Sequence, residues 1–276
     1  MEISLGVTLA VLGAALLHAS WNVLVKSGAD QQLETINIAL GSGVVGFCIA
    51  LFLPAPAEAS WPWLAGSALV HILYFMFLAG AYRWGELSYT YPVMRGGGPM
   101  IVAVVGALAL GEVLPPAQTL GVLAICAGIL GFASGRHDPR ATAFAIANAV
   151  VIAAYTLIDA QGARLSGAPV SYALWFFAAN GVVIALYGLA RRGPAVGLYF
   201  GRNWKTAMLG GSCAVGAYGI ALWAMTQAPV ALVAVLRETS VVFAAVIAAV
   251  FLKEKLTRRR VIATAAVLSG LVALRL

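Results

Sequence analysis

Charge is what this sequence has least of. Its 276 residues include 17 Lys and Arg and 10 Asp and Glu, so 10% are charged, against about a quarter in an ordinary soluble domain. A soluble fold cannot cover its surface with so few charges, so lipid must solvate most of the chain. Long polar stretches are missing too, which argues against a separate soluble domain. Cysteine is sparse: Cys48, Cys126 and Cys213 each sit inside an apolar run. They show no CxxC or metal-ligand spacing and read as small core residues, so no metal or cofactor is implied. HExxH, GxSxG, paired intramembrane aspartates and a Ser/His/Asp set are all absent, which disfavours a membrane-embedded enzyme. Without a nucleotide-binding loop, ATP-driven pumping would need a partner subunit. Without a repeated filter motif, a channel is disfavoured as well.

What is present is apolar: 62% of residues are hydrophobic and the mean hydropathy is +0.94. A spanning helix needs roughly 20 apolar residues. Ten runs fit, near 3–25, 34–53, 63–83, 88–110, 116–135, 141–159, 170–190, 204–226, 229–252 and 258–274. The runs are continuous and do not alternate, so they predict helices and not barrel strands. Met1-Glu2 leads straight into an apolar run with no basic segment or cleavage site, which reads as a retained first span. The net charge of +7 comes from basic residues in short loops. Membrane topology explains that placement, and nucleic acid is not implied as a partner.

The chain repeats itself. Arg95 in Val93-Met-Arg-Gly96 precedes Glu112 by 17 residues, and Arg237 in Val235-Leu-Arg-Glu238 precedes Glu254 by the same 17. Gly128-Ile-Leu130 and Gly270-Leu-Val272 continue the register at an offset of 142, and His18–Asn22 matches Ile152–Thr156 at an offset of 134. This divides the chain into two five-helix halves, 1–135 and 141–276. Five is odd, so the second half enters the membrane from the opposite side. The expected fold is therefore all-α and membrane-integral, with ten transmembrane helices as two inverted-topology repeats and a substrate site between them near the midplane. Thirteen Lys and Arg fall in loops on one side, namely Lys26, Arg83, Arg136, Arg140, Arg191, Arg192, Arg202, Lys205 and five within 253–260; Arg164 and Arg275 fall on the other. The basic side should be cytoplasmic, with both termini outside.

At this level of detail the chain resembles the drug/metabolite transporter superfamily in its ten-helix EamA-type branch. The resemblance rests on Trp21-Asn22 with Lys26, Pro92-Val-Met-Arg-Gly-Gly-Gly-Pro99, Leu110-Gly-Glu-Val-Leu114, Gly121 and Gly128. The second copy supplies Leu236-Arg-Glu-Thr-Ser240, Leu252-Lys-Glu-Lys-Leu256 and Gly270. It implies a carrier in the inner membrane that exports amino acids or related metabolites. Asn22 stands where glycine is common, and no lysine in the sixth span matches Lys26. Small four-helix relatives couple to protons through a carboxylate in their first helix. The first span here has none beyond Glu2, so that mechanism does not carry over.

Polar residues inside the spans are the candidate site. Arg95 and Arg237 lie about six residues into theirs, roughly 9 Å deep, where an arginine is costly unless it meets water, a partner or an anion. Two arginines with Glu238 leave a positive excess and favour an anionic or zwitterionic ligand; Glu238 itself points about 100° from Arg237 and suits a partner on another helix. Glycines 96–98 with Pro92 and Pro99 suit either a broken helix at a transport site or close packing. His18, Asn22 and Lys26 form one polar stripe. His71, Tyr74 and Tyr82 form another. Trp21, Tyr155, Tyr218 and Trp223 are candidates for an aromatic pocket. Glu112 and Glu254 are expected to cap or pair at span ends. Ala127, Gly131 and Gly135, with Ala266 and Gly270, follow small-xxx-small spacing and suit helix contacts within the monomer or in a homodimer. The function expected is secondary transport of amino acids or similar zwitterions by alternating access. The alternative is a carrier of other anions, such as sugar phosphates, nucleotide derivatives or lipid-linked sugars.

Overall fold

Ten apolar runs become eleven α-helices among the described residues, because one run folds as two. A computed structural model describes residues 3–85, 87–133, 138–251 and 258–274. Glu254, Gly135, Arg136, Lys253, Lys255 and Arg275 lie outside the described residues. The helices are α1 Leu5–Ser27, α2 Gln31–Ala50, α3 Trp61–Trp84, α4 Leu87–Ala109, α5 Pro116–Gly131, α6 Pro139–Leu165, α7 Pro169–Arg192, α8 Ala195–Met225, α9 Val230–Arg237, α10 Ser240–Phe251 and α11 Arg258–Ala273. Seven of them (α1 to α4 and α6 to α8) contain candidate spans by length and hydropathy, while α5 and most of α11 are shorter apolar helices.

Local chemistry sets the helix starts. Ser4 accepts from the N–H of Val7 at 3.2 Å, and Asp30 accepts from Gln32 and Leu33 at 3.0 Å. These side chains satisfy donors that have no partner within their helices. Proline stands in the first turn of α3, α5, α6 and α7, where its missing N–H costs nothing. α8 starts at 195, earlier than hydropathy indicates, and kinks at Asn203 (φ −115°, ψ 23°). The Asn203 carbonyl accepts instead from Asn37 Nδ2 at 3.3 Å.

The loops alternate between two ends. At one end, Arg192 bonds Gln32 and Asp30 at 2.6 and 3.2 Å, Tyr199 donates to Glu34 at 2.7 Å, and Arg140 lies over Trp84. At the other, Ser171 donates to the Pro54 carbonyl at 2.7 Å, the N–H of Ala57 donates to the Ser166 carbonyl at 3.0 Å, and Glu112 pairs with Arg164 at 2.5 Å. Among the described residues, the first end collects the loop arginines and lysines, and Arg164 stands at the second.

Small residues let the backbones touch. A Cβ on Gly211 of α8 would lie 2.5 Å from the carbonyl carbon of Gly41 in α2. Backbone cannot swing aside as a side-chain tip can. Gly211→Val should therefore cost about 3 kcal/mol, read as a lowered melting temperature of the purified protein. An unchanged melting temperature would contradict this packing.

Two contacts come in reciprocal pairs. A Cβ on Gly121 of α5 would meet the carbonyl of Gly270 in α11 at 2.9 Å, and one on Gly128 would meet that of Ala263 at 3.0 Å; an offset of 142 exchanges the two. Between α2 and α7, a Cβ on Gly43 would meet the Phe177 carbonyl at 3.4 Å, and one on Gly181 the Ala39 carbonyl at 3.7 Å; an offset of 138 exchanges these. The α5–α11 contact is thus intramolecular. It runs through Gly121, Gly128 and Gly270, whereas Ala127 of the expected stripe is exposed.

The glycine-rich segment does not break its helix. α4 is helical through Pro92 and Pro99. Gly96 packs on Leu130 and Gly98 on Ile152, where a Cβ would come within 3.0 and 2.8 Å; close packing accounts for these glycines. The interruption falls in the ninth run. There the N–H groups of Glu238, Thr239, Val241 and Val242 each bond three residues back, at 2.9–3.2 Å. This is a tight 3₁₀-like turn between α9 and α10, and it keeps backbone donors satisfied where water is scarce.

Candidate functional site

The close approach of α4 to α5 and α6 carries Arg95 inward, where it is 8% exposed. Its Nε lies 2.7 Å from Oε2 of Glu238, which is 4% exposed. Both atoms lack a hydrogen bond of good geometry, so the contact is an ion pair with its N–H off line. Arg95 Nη2 reaches His18 Nε2 at 3.3 Å. A guanidinium has only donors, so the imidazole accepts. The turn after α9 is what aims Glu238 at α4.

Arg237, the last residue of α9, stands differently. Its guanidinium lies 5.1 Å from the ring centroid of Tyr218, a cation–π distance. Among the described residues it forms no salt bridge. Arg95, Pro99, Tyr155, Thr156, Arg237 and Glu238 line a narrow cleft between α4, α6 and α9. Both halves of the chain contribute charge to it.

An aromatic wall backs this cleft. His71 stacks on Tyr155 at 4.3 Å and lies 4.8 Å from Phe176. Tyr74 stands edge-on to Tyr155 at 6.0 Å, and Trp21 edge-on to His18 at 5.1 Å. Three expected residues are not gathered. Asn22 donates to the His18 carbonyl of its own helix at 2.7 Å, Trp223 packs against the main apolar core, and Tyr82 is 39% exposed. Helical spacing puts Asn22 and Tyr82 on the expected stripes, but the neighbouring helices cover only part of each. The Lys26 side chain lies outside the described residues.

Sequence reading missed Asp159. It is 0% exposed and accepts from the hydroxyls of Tyr172, at 2.9 Å, and Tyr218. The sixth span was expected to end at this residue because a charge usually marks a boundary. α6 continues through it to Leu165. The available signal was Tyr155 four residues earlier, on the same helical face. Thr156, one turn ahead of Asp159, lines the cleft too, and an uncharged threonine inside an apolar run gives no comparable signal.

Glu112 behaves as its position predicts. One carboxylate oxygen pairs with Arg164 at 2.5 Å and the other accepts from the N–H of Val230 at 2.7 Å, placing negative charge at the N-terminus of α9. Arg164 Nε also donates to the Met225 carbonyl at 2.9 Å, which binds α4, α6 and α8 together at this end.

With this geometry in hand, comparison with known proteins is informative. A solved structure described only as "Crystal structure of protein" superposes with a TM-score of 0.76 at 20% identity, covering 98% of each chain; at that identity the likeness is one of fold. No curated protein matches. Residues 140–276, from α6 to the end of the chain, match the EamA-like transporter family. This match assigns the second half of the chain to the EamA-like transporter family and is consistent with a membrane transporter of the drug/metabolite transporter type.

Proposed function

We propose that this protein is a secondary carrier that exports amino acids or closely related zwitterions by alternating access. In this reading ten helices cross the inner membrane as two inverted five-helix repeats, 1–135 and 141–276, with α9 and α10 forming one span. The reciprocal contacts of α5 with α11 and of α2 with α7 support a twofold axis in the membrane plane, because such an axis exchanges each contact with its mate.

The observation that carries the substrate class is the charge in the central cleft. Arg237, which forms no salt bridge among the described residues, would take a carboxylate, and Glu238, held by Arg95, would offer a carboxylate to an ammonium. A purely anionic substrate would face Glu238 at close range. His18, Trp21, His71, Tyr74, Tyr155 and Tyr218 shape the walls around the substrate.

The test is counterflow. Proteoliposomes loaded with one unlabelled amino acid at a time should accumulate the same labelled amino acid from outside for at least one member of the set. Failure across all twenty amino acids, with sugar phosphates active, would overturn the assignment. The loop charges place both termini outside, so a reporter fused after Leu276 should be active only if it matures in the periplasm. Cytoplasmic activity would reverse the orientation.

A further inference from the structure

We propose that Asp159 is a proton-binding site, set behind the substrate cleft and linked to it through Tyr218, by which transport is coupled to a proton gradient. The inference rests on the carrier function proposed above and adds its coupling ion.

Asp159 is buried in the middle of the helix bundle, on α6, and is not one of the residues that line the cleft. The groups facing it come from every helix around it. α7 supplies the Tyr172 hydroxyl and α8 the Tyr218 hydroxyl. From α3, Ser67 is fully buried, and its hydroxyl and His71 stand beside the carboxylate. Tyr155 lies one turn earlier on α6, stacked on His71. On the ring of Tyr218, away from its hydroxyl, stands the guanidinium of Arg237 on α9. Among the described residues, no lysine or arginine forms a salt bridge with Asp159.

This surrounding differs in kind from that of Glu238. A proton on Glu238 would leave Arg95 buried without its counter-charge, which is costly. Asp159 is held by hydroxyls, and a hydroxyl can donate or accept. The same shell therefore satisfies both forms. Ionised, the carboxylate accepts from the tyrosines; protonated, it donates to one hydroxyl oxygen and still accepts from another. A proton can arrive from water on one side and leave to the other with no ion pair broken and no covalent bond changed.

Tyr218 makes the link. Its hydroxyl bonds Asp159 and its ring face carries Arg237. Around Tyr218 and the cleft, among the described residues, stand buried Arg95 and half-buried Arg237 with the buried carboxylates of Glu238 and Asp159. A substrate carboxylate that engages Arg237 changes the field at Asp159, and a proton on Asp159 changes the hold on Arg237. Linkage makes these effects equal.

The test has two arms on the full-length protein. In lipid nanodiscs without substrate, infrared difference spectra between pH 8 and pH 5 should show the carbonyl stretch of a protonated carboxylic acid. That band should vanish in Asp159→Asn and persist in Asp159→Glu. In proteoliposomes, the labelled amino acid active in counterflow should accumulate when a pH gradient is imposed. In Asp159→Asn the ratio of gradient-driven accumulation to counterflow should fall at least about tenfold, and Asp159→Glu should restore part of it. A band unchanged by Asp159→Asn, or an unchanged ratio, would overturn the proposal. Loss of function through misfolding would lower both rates and leave the band in neither variant. If no amino acid shows counterflow but the band behaves as stated, the substrate reading falls and the proton site stands.

Discussion

Arg237→Ala should abolish transport while leaving the protein folded. The side chain forms no salt bridge among the described residues, and its main contact is the ring face of Tyr218. Removing a cation–π contact of this kind costs about 0.5–2 kcal/mol, which a packed bundle tolerates. The substrate loses far more. A charge-assisted, two-pronged bond to a carboxylate is among the strongest polar contacts available in a site with little water. Losing about 3 kcal/mol of binding lowers affinity by roughly two orders of magnitude. Arg237→Lys keeps the charge but loses the planar fork, so it should retain a weakened rate, about tenfold below wild type. Counterflow and the melting temperature, measured on the same preparations, check this. Wild-type counterflow by Arg237→Ala would remove Arg237 from the site.

The Arg95–Glu238 pair should behave in the opposite way, with stability failing first. Both side chains are buried and their charged atoms are 2.7 Å apart. Deleting either one strands the other in low dielectric, at a cost of about 3–5 kcal/mol. Removing Arg95 also deprives His18 of its donor. Replacing both charges with apolar residues of similar length, Arg95→Met with Glu238→Met, strands neither. Double replacements of this kind are often close to neutral for stability. The double variant should therefore melt near the wild-type temperature yet transport nothing, because it lacks the carboxylate proposed to meet the substrate ammonium. Single variants with wild-type melting temperatures would show that the pair is not formed, and transport by the double variant would show that it is not needed. The two arginines stand 142 residues apart (237 − 95), the offset that also exchanges the α5–α11 contacts, but among the described residues one pairs with a carboxylate and the other does not. They should therefore fail for different reasons.

How much of this was legible beforehand differs residue by residue. Arg95, Arg237 and Glu238 stood out because charge inside an apolar run is expensive wherever it points, so depth alone marks them. The pairing of Arg95 with Glu238 across the halves was not readable, since it depends on where the turn after α9 aims one side chain. Tyr82 shares the periodicity of His71 and Tyr74 and still falls outside the cleft. Periodicity selects a face of a helix but does not say which helix covers it. Asp159 was lost to the rule that a charge ends a span. That rule assumes water at the charge, and here the hydroxyls of Tyr172 and Tyr218 take the place of water.

By itself the sequence determined the all-helical membrane class and the approximate limits of its helices. It also placed basic residues at alternate loops and acidic Glu112 at a span end, where it could cap or pair. These follow from transfer free energies and backbone hydrogen bonding, which act residue by residue along the chain and need no partner. Only the tertiary structure decided that the glycines of α4 pack and do not break, that the ninth run turns at Glu238, that Arg237 pairs with no carboxylate among the described residues, and that Asp159 is enclosed by hydroxyls. Each of these is a contact between helices far apart in the chain. In a bilayer such contacts are chosen by close packing and by the satisfaction of buried polar groups, because lipid leaves little difference in hydrophobic energy between one helix face and another.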